Sequence, residues 1–151
     1  MHILESYASN CCLKIDKPFI YEKYYPLPCD RYITLHHPNK TDSRKYDHWD
    51  SVVRLLKPVL DKEGIKIAQV GSGSEVIVKH CHNLLGRTSL NQLAYVIRHS
   101  MLHLGVDSLP IQLASGYGKK IVALYSNKYA CHSGPYWSKD EDVILLESDK
   151  D

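Results

Sequence analysis

From Arg31 onward the chain keeps switching between two hydrophobic periods, and this alternation restricts the fold more than any other feature. Short apolar runs that read as strands, "YITLHH" (32–37), "IKIAQVG" (65–71), "HNLLG" (82–86), "MLHLGV" (101–106), "KIVALYS" (120–126) and "DVILLES" (142–148), are separated by stretches with helical spacing. Such repetition is the signature of βαβ units, which lay strands parallel and cover the sheet with helices. The expectation is an α/β domain with a mainly parallel sheet. "KIVALYS" is apolar enough to be a central strand buried on both faces.

The intervening stretches carry helix signals of their own. Trp49, Val52, Val53, Leu56, Val59 and Leu60 form one apolar stripe and predict a helix over about 46–63, stopped by Gly64. Pro58 inside it removes a backbone donor and should kink or weaken the last turn. Ser89 and Gln92 match a capping box, opening a helix that buries Leu90, Leu93, Ala94 and Ile97. A third helix is expected over 108–117, with Pro110 in its first turn and Gly118 past its end. Residues 1–30, where Pro18, Pro26 and Pro28 sit among Tyr21, Tyr24 and Tyr25 after a short helical stretch at 3–9, read as an N-terminal arm. The domain proper is then 31–151.

Composition narrows the function. With 151 residues, 44% of them hydrophobic, the chain can bury a real core. Its 19 Lys+Arg against 17 Asp+Glu leave a net charge of +2, without the basic stripe of a protein that neutralises nucleic-acid phosphates. Five cysteines, odd in number and in no C-x-x-C spacing, lead us to expect a reduced, cytoplasmic protein. No apolar run is long enough to span a membrane.

In an open α/β sheet ligands bind at the carboxyl ends of the strands, where helix N-termini favour anions. Four such ends are suggestive: "HPNKTDSRK" (37–45), "GSGSE" (71–75), "GRTS" (86–89) and "DSLP" (107–110). Lys45 or Lys40, with the hydroxyls of Thr41 and Ser43, suit a phosphate. Glu75 suits a ribose diol as a bidentate acceptor. Asp107, placed between a buried strand and a helix start, is costly unless solvent, a partner or a ligand meets it, and sugar hydroxyls would. Asp107-Ser108 also serves as a plain helix N-cap. His36-His37, His80-Cys81-His82, His99 with His103, and Cys131-His132 suggest a metal, but neighbours on a strand point to opposite faces, so no metal site is expected.

"LLGRTSLNQLAYVIRHSMLHLGVDSLPIQLASGYGKKIVALYS", with "GSGSE" and "KYDHW" upstream, resembles the nucleotide-sugar-binding half of GT-B glycosyltransferases, in particular the ADP-heptose:lipopolysaccharide heptosyltransferases. The resemblance covers roughly two thirds of the chain. It implies a Rossmann-like three-layer domain of the GT-B donor type. It also implies a donor site in which Lys45 holds phosphate, Glu75 the ribose, the Arg87-Thr88-Ser89 turn the base, and Asp107 with Ser108 the sugar. The chain departs from the family at Leu109, where the family has glycine, and at Gln112, a donor-binding position where it has histidine. The implied ligand is a nucleotide-diphosphate sugar, used as substrate with no metal or other cofactor. The family's acceptor domain, which supplies the catalytic base, is expected from another domain or a second chain. The alternative is a non-catalytic, degenerate nucleotide-sugar-binding or assembly module.

Overall fold

The computed structural model describes residues 1–27, 29–38, 44–126 and 129–148. Its elements run α1 (Ile3–Asn10), β1 (Tyr32–His36), α2 (Trp49–Lys62), β2 (Lys66–Val70), β3 (His82–Asn83), α3 (Leu90–His99), β4 (Leu102–Val106), α4 (Leu109–Gly116), β5 (Lys120–Tyr125), α5 (Ala130–Ser133) and β6 (Val143–Glu147). The strands form one sheet in the order β3-β2-β1-β4-β5-β6, and every pairing is parallel. This is a doubly wound Rossmann-like sheet, whose direction of winding reverses between β1 and β4.

Strand alternation sends side chains to two cores. On one face Tyr32, Ala68, Val70, Ile121, Ala123 and Tyr125 pack against Leu93, Ala94, Val96 and Ile97 of α3 and Ile111, Leu113 and Ala114 of α4. On the other, Ile33, Leu35, Ile67, Leu104 and Val106 pack against Trp49 and Val53 of α2. Three layers result, as expected. The arm lies along the α3/α4 face: Ile20, Tyr25, Leu27 and Cys29 join that core, the Lys23 N–H donates to the Asn91 carbonyl at 3.0 Å, and Glu22 pairs with Arg98 at 2.6 Å.

Several local details differ from the sequence expectation. The strand expected over 82–86 is regular only at His82–Asn83. The Asn83 side chain accepts from the Leu85 N–H at 2.9 Å and starts a turn, and Gly86 follows with φ +67°. Pro58 does not end α2, which continues to Lys62; the carbonyl that loses its partner belongs to Arg54, which is exposed and open to water. Val59 faces solvent, since the buried face of α2 is centred on Trp49 and Val53. β5 is second from an edge and alternates buried with half-buried positions, because among the described residues α2 is the helix on that face and it covers β1, β2 and β4. No helix among the described residues is long and apolar enough to cross a membrane, and all five cysteines carry free thiols.

Candidate functional site

The site is built where the winding reverses. β1 ends at His36, and the turn Asp107-Ser108 follows β4, its neighbour in the sheet. His36 Nδ1 lies 2.9 Å from Ser108 Oγ, and His36 Nε2 lies 3.3 Å from Glu75 Oε1. One buried imidazole thus joins the loop after β2 to the turn after β4. Glu75 and Ser108, both expected in the site, are therefore brought together on one side chain.

Glu75 reaches His36 because Gly71 leaves room. A Cβ at Gly71, which has φ +147°, would overlap the Glu75 carboxylate. Ser72 Oγ donates to Glu75 Oε1 at 3.2 Å. Burial alone would push the Glu75 carboxyl up, but the hydrogen bond and charge of His36, aided by Ser72, outweigh it and hold the group below the usual carboxylate range. Glu75 Oε2 is buried without a partner among the described residues. The Thr88 turn abuts the same loop: the Gly86 N–H donates to the Gly71 carbonyl at 2.9 Å. Thr88 is half-buried there. Ser89 is spent on the capping box of α3, accepting from the Gln92 N–H at 3.3 Å while the Gln92 side chain accepts from its own N–H at 2.9 Å.

Asp107 is buried, and its Oδ2 accepts from Ser133 Oγ at 3.1 Å. Its carbonyl accepts from Arg44 Nη1 at 2.8 Å. Ser108 occupies the N-cap position of α4 without capping it; its hydroxyl donates instead to the Val106 carbonyl at 2.8 Å. Gln112 Nε2 donates to the Ser133 carbonyl at 2.8 Å and so ties α4 to α5. Lys45 is exposed and pairs with Asp47 at 3.2 Å, outside the network formed by Glu75, His36 and Ser108. Lys40, Thr41 and Ser43 lie outside the described residues. No group of three or more His, Cys, Asp or Glu among the described residues is arranged to hold a metal ion.

Three residues of this network were not singled out for it by the sequence reading. His36 entered only as one of a pair of adjacent histidines, although a polar residue closing an apolar strand was a usable signal. Arg44 lay unremarked within the suggestive stretch 37–45, and Ser133 carried no local signal because it reaches Asp107 from α5.

A parallel sheet wound in this order, with a polar network at its reversal point, defines a Rossmann-like α/β domain of the type that seats ligands at strand carboxyl ends. The chain belongs to glycosyltransferase family 9 (heptosyltransferase), whose family model matches residues 14–150. Among solved structures it is similar to a family 9 glycosyl transferase from Veillonella parvula DSM 2008, with a TM-score of 0.66 at 18% identity, over 95% of this chain and 39% of that one. It is also similar to the E. coli ADP-heptose lps heptosyltransferase II, with a TM-score of 0.60 at 19% identity, over 93% of this chain and 42% of that one. E. coli heptosyltransferase WaaC with ADP superposes with a TM-score of 0.61 at 17% identity, over 82% of this chain and 40% of that one. The chain thus spans about two fifths of the length of these structures. No curated protein sequence matches it.

Proposed function

We propose that this chain is the donor-binding domain of a heptosyltransferase-like glycosyltransferase, taking a nucleotide-diphosphate sugar without a metal ion. The observation that carries the reading is the convergence of Glu75 and Ser108 on His36 at the reversal point of the sheet, where ligands of open α/β sheets sit. Glu75 accepts the ribose hydroxyls; its buried Oε2, without a partner among the described residues, is an acceptor in want of a donor. Asp107 and Ser108 receive the sugar. The N–H groups at the start of α4, together with Lys45 and the Thr88-Ser89 turn, take the diphosphate and nucleoside, and they stabilise the charge that grows on the diphosphate as it leaves. Leu109, the first residue of α4, is exposed beside Ser108. The acceptor and the base that deprotonates it come from outside this chain, in keeping with the two fifths of each relative that it spans.

Calorimetric titration of the full chain with ADP, GDP and UDP tests this. ADP is the first probe because one structural relative was solved with it. We expect one nucleoside diphosphate to bind and the chain alone to show little transfer. A folded chain that binds none of the three sinks the reading in favour of the degenerate module.

A further inference from the structure

His36 is almost wholly buried, with its side chain 8% exposed, yet it is bonded at both ring nitrogens, to the loop after β2 and to the turn after β4. The Ser108 contact is one of two that its oxygen makes. The Ser108 hydroxyl has a single proton, and the carbonyl of Val106, 2.8 Å away, can only accept. The imidazole Nδ1, 2.9 Å away, and the Val106 carbonyl share that one proton, and with either choice the contact ties the ring to the Ser108 turn. On the other side a proton lies between Nε2 and Glu75 Oε1, which also accepts from Ser72. Turning the ring breaks both contacts at once. The packing beneath it is equally close: a Cβ at Gly105 would lie 3.4 Å from His36 Cβ and 2.9 Å from His103 Nε2.

Serine, histidine and glutamate are also the residue types of hydrolytic triads. Here the Val106 carbonyl, 2.8 Å from Ser108 Oγ, competes with the imidazole for the one hydroxyl proton, and His36 is almost wholly buried.

We propose that His36 is a positioning residue of the donor site, setting the Glu75 carboxylate against the ribose diol and holding it at a fixed distance from the Ser108 turn. The inference rests on the donor-site reading above. It adds that the preference of the site for a ribose diol depends on a residue that touches no ligand.

The test uses the full chain with two probes, ADP and 2′,3′-dideoxy-ADP, titrated by calorimetry, folding being checked by circular dichroism. His36→Asn keeps an amide near the position of Nδ1 and gives up the reach to Glu75, whereas His36→Gln extends to the position of Nε2 and keeps it. The unmutated chain should prefer ADP by about tenfold or more, the range of a charge-assisted hydrogen bond. His36→Asn should bring that ratio within about twofold, and His36→Gln should restore most of it. Glu75→Gln should also abolish it, and the double variant should lose nothing further, because the two side chains act as one unit.

Loss of the preference in Glu75→Gln but not in His36→Asn overturns the positioning role and leaves the donor site standing. Equal weakening of both probes in His36→Asn assigns His36 a purely structural role and also overturns it. A folded, unmutated chain that binds neither probe overturns the donor-site reading itself and the role of His36 with it. If His36→Asn does not fold, His36→Gln decides: a retained ADP preference supports the proposal and a lost one refutes it.

Discussion

Across the gap between β1 and β4 the imidazole of His36 and the hydroxyl of Ser108 meet at 2.9 Å, although the residues are 72 positions apart in the chain. The parallel pairing of Thr34 with His103 and Leu35 with Leu104 brings the ends of the two strands level. Asp107 and Ser108 leave β4 together but face different partners: Ser108 turns to His36, and Asp107 to Ser133. This division of the turn makes the role of Asp107 separable by experiment.

Asp107→Asn keeps the shape of the side chain and removes its charge. With Asp107 on the sugar, the variant should weaken a sugar-bearing donor more than the bare diphosphate, by roughly 1.5 to 3 kcal/mol. Parallel titrations with ADP and an ADP-sugar measure the difference. Equal loss for both ligands would mean that Asp107 supports the fold through Ser133 and does not read the sugar.

Gly86 has φ +67°, and a Cβ there would come within 2.9 Å of Gly73 Cα. The neighbour is backbone and has little room to yield. Gly86→Ala should therefore cost about 1 to 3 kcal/mol of stability, and it should loosen the contact between the Thr88 turn and the Glu75 loop. Urea unfolding measures the first effect; a stability within error of the parent would show that the two turns separate freely.

Acid should destabilise the protein through His103. Burial, with the nearby charge of His36, drives the His103 imidazole from an ordinary value of 6.5 down to about 3. Between those values the unfolded chain binds a proton that the folded chain refuses, so stability falls as the pH drops, by at most about 1.4 kcal/mol per pH unit. Glu75 acts in the same direction at lower pH: its folded carboxyl lies below the usual range, so the stability it contributes above that range is lost as the pH falls through it. Replacing His103 by Asn, which keeps a donor towards Thr34 Oγ1, removes the first effect. Unfolding curves from pH 7 to pH 4 should be flatter for the variant, and parallel curves would refute the assignment.

Gln112→Ala removes the amide that donates to the Ser133 carbonyl. Loss of that bond should lower stability by about 1 kcal/mol. Because the Ser133 hydroxyl holds Asp107, binding of the ADP-sugar should weaken more than binding of ADP. A variant that loses affinity for both at unchanged stability would instead put Gln112 on the diphosphate.

The sequence by itself determined the elements and their class. Alternating periods marked β1, β2, β4 and β5 to within a residue or two, and Ser89 with Gln92 marked the start of α3. These signals are local, because burial of one face imposes its period on a short stretch of chain. The end of β3 at Asn83 and the exposure of Val59 were less legible, since each turns on one side chain's hydrogen bond or on the exact rotation of a helix. Of the candidate residues, Glu75 and Asp107 were legible as carboxylates at strand ends, where an acid is conspicuous. Their partners, His36 for Glu75 and Ser133 for Asp107, were decided only by the tertiary structure. No period in the sequence sets β4 beside β1 in preference to β3, so neither His36 against Ser108 nor Ser133 against Asp107 could be read from it. Those contacts exist because the crossovers reverse their winding after β3 and return the chain to the free edge of β1.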